Sequence, residues 1–167
     1  MASRFEDLIE KHHDEIFAHL WRLLGKRQGS DATLHVEDLV QDVFLRAYEA
    51  FPKLRQGSNH RAWLFKVATN RAYSQLRQVK HRDDKKSMLM NPTQGADDSL
   101  ARRLLEKQAR LAVNSLPLKQ KACVALRYLN DLDYPEIAAI VGCSEVSARA
   151  NVAQAIRRLR RMLKEGT

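Results

Sequence analysis

The side chains whose spacing could support covalent or metal chemistry are Asp38 and Asp42, His12, His13 and His19, and Cys123 and Cys143. Asp38 and Asp42 stand one helical turn apart, a spacing that can hold a divalent cation through carboxylate oxygens. The three histidines fall on a different helix. No further ligand converges on either group in the sequence, so charged, exposed helix faces account for them and a nuclease or other enzyme is not expected. The cysteines lie 20 residues apart with no close Cys or Cys-His spacing, which argues against a zinc site. Both fit core positions as reduced thiols. No metal and no cofactor are expected.

The chemistry that the residues do support is contact with a polyanion. The chain carries a formal charge of +9, and a basic balance favours nucleic acid or a membrane surface. Its distribution is uneven. Residues 1–80 hold 13 basic against 10 acidic side chains, whereas residues 99–167 hold 13 against 6. From Arg149 to Lys164 there are six basic residues and no acidic one. Within that run Ala148, Val152, Ala155, Leu159 and Met162 recur at helical spacing and form a buried stripe. Val146, Ser147, Ala150, Gln154 and Arg157 then face outward, with Arg149, Asn151 and Arg158 on the flanks. A polar, acid-free helix face suits the major groove, where amides and guanidinium groups reach base edges and phosphates. A solvated amphipathic helix is the plain alternative.

The elements that must position this helix are legible. Asp133 and Glu136 have capping-box spacing and start a short helix bearing Ile137, Ala138, Ile140 and Val141. Gly142 fits a tight turn, and Ser144 can cap the long helix from Glu145 to about Lys164. Helix, three-residue turn, helix is the helix-turn-helix pattern. Upstream, Ser99 can cap a helix with Leu100, Leu104, Leu105, Leu111 and Ala112, and Pro117 suits the first turn of another with Ala122, Cys123, Leu126 and Leu129.

The first 80 residues read as three helices. Phe5, Leu8, Ile9, Ile16, Phe17, Leu20, Trp21 and Leu24 mark the first, which Gly25 and Gly29 break. Val36, Leu39, Val40, Val43, Phe44, Ala47, Tyr48 and Phe51 mark the second, ended by Pro52. After a polar loop, the third runs from about His60 to Lys80 with Leu64, Val67, Ala68, Ala72, Leu76 and Val79 on its buried side. Asp38, Gln41, Asp42 and Arg46 lie beside the apolar stripe of the second helix. Arg61, Trp63, Lys66, Asn70, Arg71, Tyr73 and Arg77 occupy solvent or side positions of the third. Cations interleaved with aromatics and amides suit single-stranded DNA, because bases stack on rings while cations hold the backbone. Trp63 and Tyr73 could equally belong to the core. Residues 81–98 lack an apolar period and read as a flexible linker. The expected architecture is all-α: two small helical domains, 1–80 and 99–167, joined by that linker, the second a helix-turn-helix.

EDLVQDVFLRAYEAF followed by RAWLFKVATNRAYSQLR resembles the second conserved region of bacterial sigma factors. LPLKQKACVALRYLNDLDYPEIAAIVGCSEVSARANVAQAIRRLRRML is similar to their fourth region. Two such regions with only a short linker match the extracytoplasmic-function group, and the likeness runs from about Phe5 to Leu163. It implies that Asp38, Gln41, Asp42 and Arg46 bind the clamp helices of core RNA polymerase. It implies that Arg55, Ser58, Asn59, His60, Arg61, Trp63 and Asn70 capture the minus-ten element, one base of which is flipped into a pocket; Lys66, Arg71 and Arg77 join them on the reading of the third helix. It also implies that Ser147, Arg149, Ala150, Asn151, Gln154, Arg157 and Arg158 meet the minus-thirty-five element while this domain touches the polymerase flap. His60 stands where the family often has an aromatic residue. Asn151 and Gln154 stand where it often has basic ones, and amides there favour adenine contacts.

The partners expected are core RNA polymerase, promoter DNA and, as in many relatives, an anti-sigma factor. The alternatives are a stand-alone helix-turn-helix regulator, which leaves the first 80 residues without a role, and a polymerase-binding adaptor that opens no promoter. No apolar run approaches the roughly 18 residues of a membrane span. Met1–Lys11 is charged throughout and lacks the apolar core of a signal peptide, so a cytoplasmic protein without membrane insertion is expected.

Overall fold

The computed structural model describes residues 5–24, 32–82 and 100–165. Among these, every regular element is helical. The chain divides into two compact units. The first is built from α1 (Phe5–Leu24), α2 (Ala32–Ala50) and α3 (His60–Arg82); the second from α4 (Leu100–Ser115), α5 (Leu118–Tyr128), the start of α6 (Tyr134–Val141) and α7 (Glu145–Glu165). The third helix runs two residues into the expected linker. The rest of that linker and Ser99, the expected cap of α4, lie outside the described residues.

In the first unit the three helices pack on one another. Their apolar stripes supply Ile16, Leu20 and Leu23 from α1, Val36, Val40, Val43 and Ala47 from α2, and Leu64, Ala68 and Ala72 from α3, all buried. Each fully buried aliphatic chain contributes about 1.5–3 kcal/mol of transfer free energy. Two details depart from the periodicity. On α3, Phe65 and Thr69 are fully buried, whereas Val67 and Leu76 are only partly covered. On α2, Tyr48 is 63% exposed, and its ring lies edge-on to Phe5 at 5.4 Å between ring centroids. Pro52 ends α2 by way of a single 3-10 turn, Phe51–Lys53.

In the second unit α7 packs against α5 and α4. Ala148, Val152 and Ala155 of α7 and Ala122, Cys123 and Leu126 of α5 are buried. Leu159 and Met162 are partly covered, Met162 sulfur accepting from the Ser115 hydroxyl at 3.1 Å. Pro117 stands at the N-cap of α5 rather than inside its first turn, and Leu129 is the C-cap residue. The leucines of α4 are not a core stripe: Leu100, Leu104, Leu105 and Leu111 are all exposed.

Candidate nucleic-acid and protein interfaces

The turn that aims α7 is held at each step. Asp133 N–H donates to Glu136 Oε2 and Glu136 N–H donates to Asp133 Oδ1, each at 3.0 Å, a reciprocal capping box at the start of α6. Gly142 has φ +77°, a left-handed conformation in which a side chain would be strained. Ser147 N–H then donates to Ser144 Oγ at 3.1 Å and caps α7.

From that cap the expected reading face projects, but several of its side chains are already engaged. Arg149 donates to Glu145 Oε1 at 2.9 Å and lies 4.3 Å from the Tyr134 ring centroid, a ring that Arg127 also approaches at 4.5 Å. Asn151 Nδ2 donates to Ser147 carbonyl oxygen at 2.9 Å. Gln154 Oε1 accepts from Gln120 Nε2 at 3.0 Å. A bidentate grip on adenine uses the acceptor and the donor of one amide together, and here the Gln154 oxygen already accepts one hydrogen bond, from α5. Ser147, Ala150 and Val146 are exposed. Gln154, Arg157, Arg158 and Arg161 line a shallow concavity. Among the described residues these three arginines form no ion pair, so their charge is available for phosphate.

In the first unit, residues expected at one DNA surface separate into two groups. Trp63, Lys66, Asn70 and Arg77 recur at spacings of three, four and seven, which is one face of α3. Lys66, Asn70 and Arg77 are exposed and Trp63 is half-covered. Tyr73 lies on the same face and is also half-covered. Arg77 Nε reaches the Tyr73 carbonyl at 3.4 Å.

Arg61 and Arg71 instead make ion pairs inside the unit. Arg61 forks onto Glu15 of α1 at 3.0 and 3.1 Å and lies 5.3 Å from the Phe65 ring centroid. Burial would raise the Glu15 carboxyl, but hydrogen bonds from Arg61 and His12 outweigh it and hold the group below its ordinary value. Arg71 pairs with Asp42 of α2, which also accepts from Arg46 at 3.1 Å. There too burial is outweighed, and the Asp42 carboxyl is held low. An arginine on one helix and a carboxylate on another give no spacing signal, so sequence alone could not find these pairs.

The loop before α3 is shaped by the polar residues expected to touch DNA. Ser58 Oγ donates to Arg55 carbonyl oxygen at 2.6 Å, and Gly57 takes φ +82°. Asn59 Oδ1 accepts from Ala62 N–H at 3.0 Å and so caps α3. His60 packs on Phe51 at 5.4 Å between centroids. Arg55 remains exposed.

On α2, exposed Asp38, Gln41, Leu45 and Tyr48 recur at three, four and three residues and share one face. Leu45 is 64% exposed. An apolar centre beside polar groups is the anatomy of a protein-binding patch. Leu45 was not expected there and Tyr48 was assigned to the core; the polar residues around them were the readable signal.

The groups with catalytic potential are otherwise used. His19 is buried and bonded to Thr69. Burial pushes the Cys123 thiol up to about 12, with nearby Cys143 adding to the shift and Lys119 opposing it. Among the described residues no three His, Cys, Asp or Glu side chains gather as a metal site. None of the described helices is long and apolar enough to cross a membrane.

Two family models match the chain: sigma-70 region 2 over residues 8–82 and sigma-70 region 4 over residues 106–159. Among curated proteins it is similar to RNA polymerase sigma factor CarQ of Myxococcus xanthus, 29% identical over 96% of this chain and 90% of that one. RNA polymerase sigma factor NccH of Alcaligenes xylosoxydans xylosoxydans is 27% identical over 95% of this chain and 86% of that one. A solved structure, the sigma factor RpoE in complex with the anti-sigma factor NepR from Bartonella quintana, superimposes with a TM-score of 0.75 at 27% identity, covering 96% of each chain.

Proposed function

The chain belongs to the sigma-70 family, in its extracytoplasmic-function group, and from that premise we propose which of its faces carry each part of the work. As an RNA polymerase sigma factor it joins core polymerase and directs promoter recognition and opening. The α2 face of Asp38, Gln41, Leu45 and Tyr48 docks on the polymerase clamp helices, with Asp42 and Arg46 at its edge. The α3 face of Trp63, Lys66, Asn70 and Arg77, with Arg55 and His60, takes the displaced minus-ten strand. The α7 face from Ser147 to Arg158 meets the minus-thirty-five duplex. The single observation that carries this reading is the outward, acid-free face of α7 with three uncompensated arginines, set by a capped helix-turn-helix.

The mechanism is differential binding. Unstacking a base costs a few kcal/mol. A protein that consumes no nucleotide can offset that only by binding the opened form better than the duplex. The α3 stripe provides rings and cations for unpaired bases. The second unit supplies register through duplex contacts, and one chain carrying both raises the effective concentration of each. The chain makes and breaks no covalent bond, acts where the polymerase is, in the cytoplasm, and needs no cofactor. As the similar Bartonella quintana protein was solved with an anti-sigma factor, we assign this chain a regulator of that class.

The test is run-off transcription from genomic fragments, with purified chain added to core polymerase. Start sites that depend on the chain are expected. Stable polymerase binding without any initiation would make it an adaptor, and DNA binding without polymerase would make it a stand-alone regulator.

A further inference from the structure

We infer that Gln120, on α5, is a specificity-positioning residue: by holding the carbonyl oxygen of Gln154 inward, it makes this place on α7 read promoter DNA by donating hydrogen bonds rather than accepting them. The inference rests on the proposed role of α7 in the minus-thirty-five duplex.

Gln120 is 7% exposed. Its Nε2 donates to Gln154 Oε1 at 3.0 Å across the α5–α7 contact. Its own Oε1 is buried with no hydrogen-bond partner. A buried carbonyl left unpaired is destabilising, and an apolar side chain of similar shape would avoid that cost. Stability therefore does not account for an amide at this position. What the amide does is fix its neighbour. Gln154 is exposed, and a free glutamine there could turn either end of its amide to the groove. With Oε1 held toward α5, the end of the amide that carries the two N–H groups is the one turned away from it.

A donor-only side chain selects base edges that carry acceptors. Guanine offers N7 and O6 in the major groove, thymine offers O4, and cytosine offers only a donor. Adenine loses its bidentate advantage, because the acceptor its amino group needs is held toward α5 and away from the groove. The position read by Gln154 is therefore expected to favour guanine and disfavour cytosine.

The experiment uses holoenzyme reconstituted from core polymerase and full-length chain, transcribing a promoter library randomised through the minus-thirty-five element. Wild type should show guanine enrichment at one position. Gln154→Ala should flatten that position alone. Gln120→Leu should flatten the same position by about three- to tenfold, the worth of one net hydrogen bond, with total transcription from the remaining library kept. Gln120→Met serves if the leucine variant does not fold. Gln120→Glu, a pure acceptor when ionised, should turn Gln154 around and shift preference toward bases with an amino group. If Gln154→Ala alters one position while neither Gln120 variant does, Gln120 does not position it and the inference fails while the α7 reading stands. A uniform loss in the Gln120 variants, with the base preference intact, also overturns it, because that is the mark of a merely structural role. If no α7 substitution changes any position, the α7 reading itself falls and the inference falls with it.

Discussion

The buried imidazole of His19 on α1 is hydrogen-bonded to Thr69 of α3, with 2.9 Å between Nε2 and Oγ1, while its Nδ1 has no hydrogen-bond partner among the described residues. The ring also stands edge-on to Phe65 at 5.2 Å between centroids. Burial, and to a smaller extent the charge of Arg22, drives the imidazole from its ordinary 6.5 down to about 3. A histidine packed this way is a neutral core residue, not a metal ligand or a base.

Its protonation makes the first unit acid-sensitive. The unfolded chain binds a proton at His19 below about pH 6.5, and the folded chain resists until about pH 3. Stability is therefore whole above pH 6.5 and declines as pH falls from there toward 3, by at most about 1.4 kcal/mol per pH unit. The held-down carboxyls of Glu15 and Asp42 act in the same direction, but in the carboxylate range below. Both tryptophans, Trp21 and Trp63, lie in the first unit, so urea melts followed by tryptophan fluorescence isolate it. His19→Leu should remove the loss between pH 6.5 and 5.5; an unchanged slope would exclude His19 as its source. Thr69→Val, which leaves the imidazole unpaired, should cost about 1–3 kcal/mol at neutral pH.

The α2 face makes a prediction that polar residues alone would not. Leu45 and Tyr48 are mostly exposed, so replacing them disturbs the fold little. Leu45→Asp and Tyr48→Ala should each weaken binding to core polymerase by at least about fivefold, the roughly 1 kcal/mol that separates contributing interface residues from neutral ones, while the melting temperature stays within a few degrees. Affinity measured by fluorescence anisotropy of labelled chain decides it; unchanged binding in both variants removes this face from the interface.

Arg157 and Arg158 should act as phosphate contacts. Each Arg→Ala change is expected to lower the slope of log affinity against log salt by about 0.9 and to weaken all sequences alike. Titrating holoenzyme binding to upstream duplexes from low to moderate salt measures the slope. A sequence-selective loss with the slope intact would assign them to bases instead.

The capping box holds the start of α6, and Gly142 follows its end. Asp133→Ala removes the acceptor for Glu136 N–H and should destabilise the start of α6 by about 1 kcal/mol. Gly142→Ala places a side chain at φ +77° with no neighbouring atom to clash with, so only backbone strain of about 1 kcal/mol is expected. Thermal melts followed by circular dichroism test both. A neutral Asp133→Ala would mean that solvent satisfies the helix end as well as the carboxylate does.

Glu15→Gln separates stability from DNA binding. It weakens the hold on Arg61, and the first unit should lose stability. Arg61 should then be freer to reach the minus-ten strand, raising holoenzyme affinity for a premelted promoter. Reduced affinity in this variant would mean that Arg61 acts from its paired position.

Local chemistry by itself determined the helices, the capping box at Asp133 and Glu136, the Gly142 turn and the Ser144 cap. Each of these depends on residues within one or two turns of one another, where spacing fixes geometry. Tertiary packing decided the rest. It placed Phe65 and Thr69 in the core, brought Tyr48 out beside Leu45, and left the α4 leucines uncovered, because helical period names a stripe but not where its centre points. It joined Arg61 to Glu15, Arg71 to Asp42 and Gln120 to Gln154 across 46, 29 and 34 residues. Such pairs depend on how helices cross, and no periodicity within a single helix encodes that.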